Sequence, residues 1–528
     1  MRLDWLRIPA YRGKRLRNFE IDFDENQSTT ILIGRNGSGK SNLIEAIVEI
    51  FRDLELSKPP AFAYELQYVC RDKVININAD PERSNRRLDI QVDGKSITQT
   101  TFNRKLVEYL PNFVFAYYSG LSSRLEKHFD EPTRRYYQEI LNSKQSEMPL
   151  RRMFFCRKEY SQLVLLAFFL SNTETAHELL EKYLNIKCFD SALFVLKTPW
   201  WRGTGRPNKT QLAEGDPRFW YARGAFKTFL DRLWSQALAP IRNTEAVERD
   251  VRGKTENTER LYLFIKNQEE LTDLKTEEED EKTLFGYLES LFLCDLIDEV
   301  RVTVERTDGT RVKFTQLSEG EQQLLTVLGL MLFTQNDESI YLLDEPDTHL
   351  NPVWTYEYLK LLQDNIRAEK GQLLVATHNP LMIGSLYKNQ VRIISQQEES
   401  TIAEEPEYDP IGIGVEGLLK SELYGLRSTL APEILDKLDR HYQLLGKQDK
   451  TPEENLVLIN LANELNSLHV SRTHPNPYFE HFATAMANTI TEKENVLSKE
   501  EIEAQARLAD EILSELSSES TSNENIQR

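Results

Sequence analysis

The sequence has few cysteines and no excess of basic charge. It contains 4 cysteines in 528 residues, and no two of them form a Cys-x-x-Cys pair. A disulfide framework and a zinc site built from cysteine pairs are therefore not expected. Basic residues number 65 against 84 acidic ones, which gives a net charge of −19. Any contact with nucleic acid must therefore use a local basic patch.

Long apolar segments are also missing. The longest apolar run, Leu163 to Leu170, is far shorter than the roughly 20 residues that span a bilayer. We therefore expect no membrane partner and a cytoplasmic location. Hydrophobic residues nevertheless make up 40% of the chain. That fraction can bury a sizeable core, so disorder of the whole chain is excluded.

A glycine-rich loop lies between a predicted strand and a predicted amphipathic helix. The alternating segment Asn18 to Phe23 predicts an edge strand, and the apolar segment Thr29 to Ile33 predicts a buried one. The loop that follows fits the pattern G-x-x-x-x-G-K-S, and its glycines would let backbone N–H groups curl around phosphate oxygens at a helix N-terminus. The predicted nucleotide-binding residues are Gly34, Arg35, Asn36, Gly37, Ser38, Gly39, Lys40, Ser41 and Asn42.

Within this loop, Lys40 would contact the β- and γ-phosphates of ATP as a catalytic residue, and Ser41 would ligate Mg²⁺. The alternative is a glycine-rich turn that carries a surface lysine. That alternative leaves the buried strand before the loop and the amphipathic helix after it unexplained.

Two adjacent carboxylates end another apolar strand. Ile340 to Leu343 is followed by Asp344 and Glu345, and a buried strand can end in acids only if something neutralises them. We predict that Asp344 holds Mg²⁺ and that Glu345 polarises the attacking water. The alternative is that both acids cap a following helix.

Two further segments carry polar groups at the ends of apolar elements. His378 follows the apolar segment Gln372 to Ala376 and is predicted to be a catalytic residue that hydrogen-bonds the γ-phosphate. Ser318, Gly320 and Glu321 open an apolar helix and form a second candidate phosphate-binding group. The alternative is that Ser318 and Glu321 form only a capping box.

The order of these segments resembles the ABC-type ATPase head shared by RecF, SMC and OLD-family proteins. The resemblance implies an α/β fold, a P-loop NTPase of ABC-ATPase head type, with a helical insertion and a C-terminal helical extension. The expected domains are an N-terminal lobe with the phosphate loop, a helical insertion, a C-terminal lobe with signature, Walker B and His switch, and a helical extension whose end from Ser514 is disordered. Their boundaries are 1–120, 121–300, 301–398 and 399–528.

The resemblance also implies how two copies would cooperate. Ser318, Gly320 and Glu321 of one head would reach the ATP bound by Lys40 of another head, in a head-to-tail dimer or higher oligomer. The segment Asp347 to Leu350 stands where the family has its inter-head loop. The segment Tyr117 to Gly120 stands at the place of the Q-loop, but it contains no glutamine, so no Q-loop residue is assigned.

Within that group, the Tyr-Tyr-Ser-Gly segment and the stretch Gly412 to Leu419 are most similar to PtuA-type ATPases of Septu and retron anti-phage systems. This similarity implies an ATP-hydrolysing subunit that regulates a separate HNH nuclease of PtuB type. A reverse transcriptase with its RNA/DNA product, and DNA itself, are further candidate partners. No Asp-x-Asp follows Ile394, so no nuclease site is expected in this chain. The alternative function is a RecF/SMC-like DNA-repair ATPase that acts as an ATP-gated DNA clamp.

Overall fold

The computed structural model describes residues 1–13, 16–142, 150–170, 174–199, 201, 207, 209–248, 255–276, 279–335, 338–366, 371–447, 449–468 and 507. The chain divides into two compact units. The first contains Met1–Met382 and Asn389–Glu404, and the second contains Ile383–Lys388 and the residues from Glu405 onward. The tail predicted from Ser514 lies outside the described residues, and within them no helix is long and apolar enough to cross a membrane.

The described strands are β1 (Arg2–Tyr11), β2 (Leu16–Asp22), β3 (Thr29–Ile33), β4 (Tyr64–Cys70), β5 (Lys73–Ala79), β6 (Leu88–Val92), β7 (Lys95–Ile97), β8 (Phe113–Tyr118), β9 (Met153–Phe155), β10 (Ile186–Lys197), β11 (Ile241–Glu248), β12 (Thr255–Ile265), β13 (Ile297–Arg306), β14 (Arg311–Lys313), β15 (Ser339–Asp344), β16 (Gly371–Ala376), β17 (Val391–Gln396) and β18 (Thr401–Glu404).

The described α-helices are α1 (Lys40–Glu55), α2 (Gln99–Arg104), α3 (Leu106–Tyr109), α4 (Asp130–Asn142), α5 (Ser161–Phe169), α6 (Glu174–Glu178), α7 (Lys209–Glu214), α8 (Ala225–Gln236), α9 (Gln268–Thr272), α10 (Glu281–Leu293), α11 (Glu319–Thr334), α12 (Pro352–Asp364), α13 (Pro380–Ile383), α14 (Gly414–Lys420), α15 (Pro432–Gly446) and α16 (Pro452–Ser467).

The first unit is built on a mixed sheet of 13 strands in the order β7-β6-β5-β4-β1-β2-β18-β17-β3-β16-β15-β8-β9. The segment from β17 to β9 is parallel, and its central strands β3, β15 and β16 are buried along their whole length. Parallel strands covered on both faces have this continuous apolar character. The amphipathic helix α1 packs its apolar residues into the same core.

Two Asp-Gly pairs form hairpin turns. Asp93 and Gly94 both have positive φ and connect β6 to β7, as a tight hairpin turn requires. Asp308 and Gly309 lie between β13 and β14, which pair antiparallel. By contrast, the predicted edge strand is wrong in position: β2 lies inside the sheet between β1 and β18. Its neighbour β1, which buries Leu3, Leu6 and Ile8, was not predicted from the sequence.

The segment 121–300 contains strands as well as helices, which corrects its prediction as a helical insertion. The segment does contain the helices α5, α6 and α8, but β10, β11 and β12 form a second sheet with β13 and β14 in the order β11-β12-β10-β13-β14. A short buried strand and a buried helix segment carry the same apolar run, so periodicity alone did not separate them. The strand β9 of this segment also extends the core sheet beside β8.

The second unit has α14, α15 and α16 as its described helices. A proline begins α15 and another begins α16, where a missing N–H costs nothing. The two helices are adjacent along the chain, and Lys437 of the first pairs with Glu464 of the second. The helical character expected for the described part of 399–528 is therefore present, together with β18 at its start.

A buried ion pair ties the segment just before β9 to α10 in the first unit. Arg151 and Glu289 lie 3.0 Å apart with side-chain exposures of 4% and 0%, and Arg151 also donates to the Tyr160 hydroxyl. Removing one partner of such a pair leaves an uncompensated buried charge, whereas replacing both does not.

We expect Glu289→Leu to lower the free energy of unfolding by about 3–5 kcal/mol. The double variant Arg151→Met, Glu289→Leu should recover most of that loss. Thermal unfolding of the full chain measures both, and a double variant as unstable as the single one would contradict this account.

Candidate functional site

The predicted site residues meet at one edge of the core sheet. In the parallel register, Leu32 of β3 pairs with Ala376 of β16, and Ala376 pairs with Asp344 of β15. The carboxyl ends of all three strands therefore coincide, and the loops that follow them share one edge. This edge is where open α/β sheets bind their ligands.

The glycine-rich loop runs from β3 to the first turn of α1. Gly34, Gly37 and Gly39 all have positive φ, and a Cβ on Gly34 would lie 2.2 Å from the carbonyl oxygen of Ile394. Arg35 and Asn36 are exposed, whereas the remaining loop residues from Ser38 to Asn42 are buried or half-buried. The loop thus exposes its tip and anchors its end in the core.

Lys40 and His378 contact each other across this edge. The Lys40 ammonium donates to the Gly34 carbonyl at 2.9 Å and lies 2.8 Å from Nε2 of His378. Nε2 also lies 3.2 Å from Oε1 of Glu345. Burial and the Lys40 charge lower the pKa of His378 to about 4, so the imidazole is neutral at pH 7 and accepts from Lys40. Burial also lowers the pKa of Lys40.

Three carboxylates lie at the carboxyl end of β15. Asp344 is the last residue of the strand, and Glu345 and Asp347 follow it. Burial raises the pKa of Asp344 to about 6. Burial and the neighbouring Asp347 raise the pKa of Glu345 to about 7. Asp347 is 6% exposed and accepts from the Thr377 hydroxyl at 2.9 Å. Glu345 has a φ of 52°. The first described helix after these acids is α12, which begins only at Pro352, so the acids do not cap a helix.

The site has features that suit a hydrated magnesium ion. Ser41 hydrogen-bonds the Asp344 carboxyl, yet Oδ1 of Asp344 and Oγ of Ser38 are buried without a hydrogen-bond partner among the described residues. Mg²⁺ usually takes one or two protein oxygens and completes its shell with water and substrate phosphates. The hydroxyl and carboxylate oxygens at this edge are ligands that fit this requirement.

The helix α11 carries the second predicted phosphate group. Ser318 and Glu321 form a capping box, with the Ser318 N–H donating to Glu321 at 2.7 Å and the Glu321 N–H donating to the Ser318 hydroxyl at 3.2 Å. Glu321 also pairs with Arg306 at 3.0 Å, so its carboxylate is already committed. A Cβ on Gly320 would lie 2.6 Å from the carbonyl oxygen of His349. The capping alternative is therefore realised, while a phosphate role in a second copy stays a prediction.

Several residues of this edge were not predicted from the sequence. Gln396 donates to the carbonyl of Ser38 at 2.6 Å, and Thr377 orients Asp347. Ser119 donates from its N–H to the Asp344 carbonyl at 3.3 Å, and its hydroxyl lies 2.8 Å from that of Thr348. Of these residues, only Gln396 could have been identified from the sequence, because it ends β17, the strand that pairs with β3.

Two family models match the chain. A model described as "AAA ATPase domain" matches residues 1–185, and one described as an "AAA domain" matches residues 189–384. Together with the sheet, these matches confirm the predicted α/β P-loop NTPase fold class.

Two relatives confirm the predicted resemblance. The Septu protein PtuA of Bacillus mycoides (strain KBAB4) is 29% identical over 218 residues, which cover 39% of this chain and 29% of that protein. The Retron Vc95 "probable ATPase" of Vibrio cholerae serotype O1 biovar El Tor is 22% identical over 437 residues, covering 77% of this chain and 76% of that protein. The match thus spans under a third of the Septu protein's length and about three quarters of the retron protein's.

Solved SMC heads show a weaker likeness. An SMC head bound to the C-winged helix domain of ScpA has a TM-score of 0.34 at 14% identity, covering 77% of this chain and 97% of that one. An SMC head domain from Thermotoga maritima has a TM-score of 0.31 at 14% identity, covering 77% and 100%. TM-scores this low do not by themselves establish a shared fold.

The raised pKa of Glu345 makes a prediction for stability against pH. At Glu345, the folded state without nucleotide binds more protons than the unfolded state between the ordinary pKa of a glutamate, 4.5, and about 7. The stability that protonation of Glu345 contributes is therefore complete below the ordinary glutamate pKa of 4.5 and is lost as the pH rises through about 7. Glu345→Gln carries no such charge. The difference between the free energy of unfolding of Glu345→Gln and that of wild type should therefore grow, in favour of the variant, by about 1–3 kcal/mol from pH ~5 to pH ~8.

Thermal unfolding at a series of pH values measures this difference. Both proteins keep His378, whose lowered pKa changes stability in the opposite direction, so the difference isolates Glu345. Glu82→Gln, which removes an exposed carboxylate, is the control. A gain that does not vary with pH would show that the Glu345 carboxyl is not destabilised by its surroundings.

Proposed function

We propose that this chain is the ATPase subunit of an anti-phage defence complex, which binds ATP with Mg²⁺ and regulates an associated HNH nuclease. The observation that carries the proposal is the convergence of Lys40, Asp344, Glu345 and His378 at the carboxyl ends of three adjacent strands. The similarity to a Septu protein and a retron ATPase supports the defence context.

Each group at this edge has a part in ATP hydrolysis. The loop amides and Lys40 would bind the β- and γ-phosphates, as backbone donors and a buried cation favour anions. Ser41 and Asp344 would hold Mg²⁺, which supplies charge neutralisation at the phosphates when bound. Glu345, with its pKa near neutrality, would orient water and accept its proton. Neutral His378 would donate to the γ-phosphate from Nε2 once Lys40 has left this nitrogen and the ring proton has moved from Nδ1 to Nε2 by exchange with water.

The proposed assembly is a head-to-tail dimer. In one copy, Ser318 caps the N-terminus of α11, and the Glu321 carboxylate is bound by the Ser318 N–H and by Arg306 of the same copy. The amides at the start of α11 and the Ser318 hydroxyl would then face the nucleotide held by Lys40 of the other copy. Each copy would contribute half of two composite sites, so ATP would join the copies and its hydrolysis would release them.

Nucleotide binding tests the site. We expect Lys40→Ala to lose ATP binding because it removes the buried cation and its contacts with the loop and His378. Lys95→Ala, at an exposed position of β7, is the matched control and should bind as wild type does. Calorimetry with MgATP measures both, and equal affinity for wild type and Lys40→Ala would refute the assignment.

Mixing two variants tests whether α11 acts on the other copy. Ser318→Asp keeps a side-chain acceptor at the N-cap but its negative charge repels phosphate, and Lys40→Ala lacks a working loop. Each should be inactive alone, whereas an equimolar mixture should recover ATPase activity, since one composite site per mixed dimer is intact. No recovery, with mixed dimers shown by copurification of two differently tagged variants, would contradict the head-to-tail arrangement.

The regulatory step is tested with the trapped state. Glu345→Gln removes the carboxylate that would accept the proton of water, so it should hold ATP and shift the chain to dimers in size-exclusion chromatography. The nuclease proposal requires that an HNH protein encoded beside this chain copurifies with it. Copurification that is the same with and without ATP would show that nucleotide does not control the complex.

A further inference from the structure

A fully buried carboxylate lies next to the proposed phosphate site on α1. Glu45 is 0% exposed and follows Ser41 by one helical turn, so the two side chains share a face of the helix. Three cationic or polar partners surround it: Arg12 and His128 each lie 2.9 Å from Oε1, and Arg124 lies 2.7 Å from Oε2.

The contact with Arg124 differs from the other two. Arg12 and His128 both hold Oε1 of Glu45, and His128 hydrogen-bonds it. Arg124 alone approaches Oε2, and this oxygen has no hydrogen bond of acceptable geometry among the described residues. The Arg124 side chain is also 40% exposed. Glu45 therefore keeps the charged partner Arg12 and the hydrogen bond with His128 if Arg124 leaves, which offsets part of the cost of breaking the pair.

The position of Arg124 brings it to the metal-binding side of the site. It lies on the loop that follows β8, whose start is held to the Asp344 strand by Ser119. Its partner Glu45 lies one helical turn after Ser41, the other predicted ligand of Mg²⁺ besides Asp344. The loop residues between Ser119 and Arg124 are exposed to solvent, and the Leu121 side chain is fully exposed. Arg124 can therefore change partner without disturbing the core.

We propose that Arg124 is a further nucleotide-contacting residue, which leaves Glu45 and donates to the γ-phosphate of ATP held by Lys40. The proposal rests on the proposed function of the site. A guanidinium presents parallel N–H donors to phosphate oxygens, and a terminal phosphate carries more negative charge than one carboxylate. Glu45 would thus be the resting partner of Arg124 when no triphosphate is bound.

Affinity for two nucleotides separates this role from a purely structural one. The ligands are a non-hydrolysable ATP analogue that keeps the γ-phosphate, and ADP, both with Mg²⁺. We expect Arg124→Ala to weaken the analogue about ten- to a hundred-fold, the range for a charge-assisted hydrogen bond, with ADP affinity unchanged. Arg124→Lys, which keeps the charge, should recover part of the loss. Arg135→Ala, an exposed arginine on α4 paired only with Glu139 among the described residues, is the control.

The remaining outcomes decide against the proposal. Unchanged affinity of Arg124→Ala for both ligands would show that Arg124 does not contact the nucleotide. An equal loss for both ligands would place its effect on the fold or on the phosphates shared by ATP and ADP. If wild type binds neither ligand, the proposed function fails and this proposal with it, whereas the other two outcomes leave the proposed function intact.

Discussion

The charge balance where β3, β15 and β16 end is the constraint on which the site depends. Asp344 and Glu345 bring two carboxylates into the core edge, and Lys40 is the buried cation that faces them. Burial raises the pKa of both acids, and the single charge of Lys40 offsets only part of this effect. A divalent cation would restore the balance. The strand order therefore creates an energetic demand for a cation at this edge of the sheet.

The parts of this site that the sequence predicted are those in which local chemistry leaves few options. The glycines of the loop are one case, because the φ of 146° at Gly34 and the carbonyl of Ile394 beside it leave no room for a side chain. The paired acids after β15 are another, because an apolar strand that ends in carboxylates needs a compensating charge. These features come from a few consecutive residues, so a single sequence was enough.

What the sequence did not predict depends on contacts between distant segments. The strands β10 and β12 have apolar runs that suit a buried helix equally well, and only their pairing with each other and with β13 decides between the two. The cluster around Glu45 joins Arg12, Arg124 and His128 from separate elements. A glutamate on an amphipathic helix gives no sign of such partners, because its surroundings are set by the packing of the whole unit.

The contacts around α11 bear on how two composite sites could act together. Gly320 packs against the carbonyl of His349, and Gln323 donates to the carbonyl of Pro346. Glu319 lies 3.5 Å from the His349 imidazole. The start of α11 is thus packed on the turn that directly follows Glu345 in the same copy. In the proposed dimer, a phosphate of the other copy's nucleotide that fixes α11 would also restrict this turn, so occupancy of one composite site would influence the water-activating carboxylate of the other.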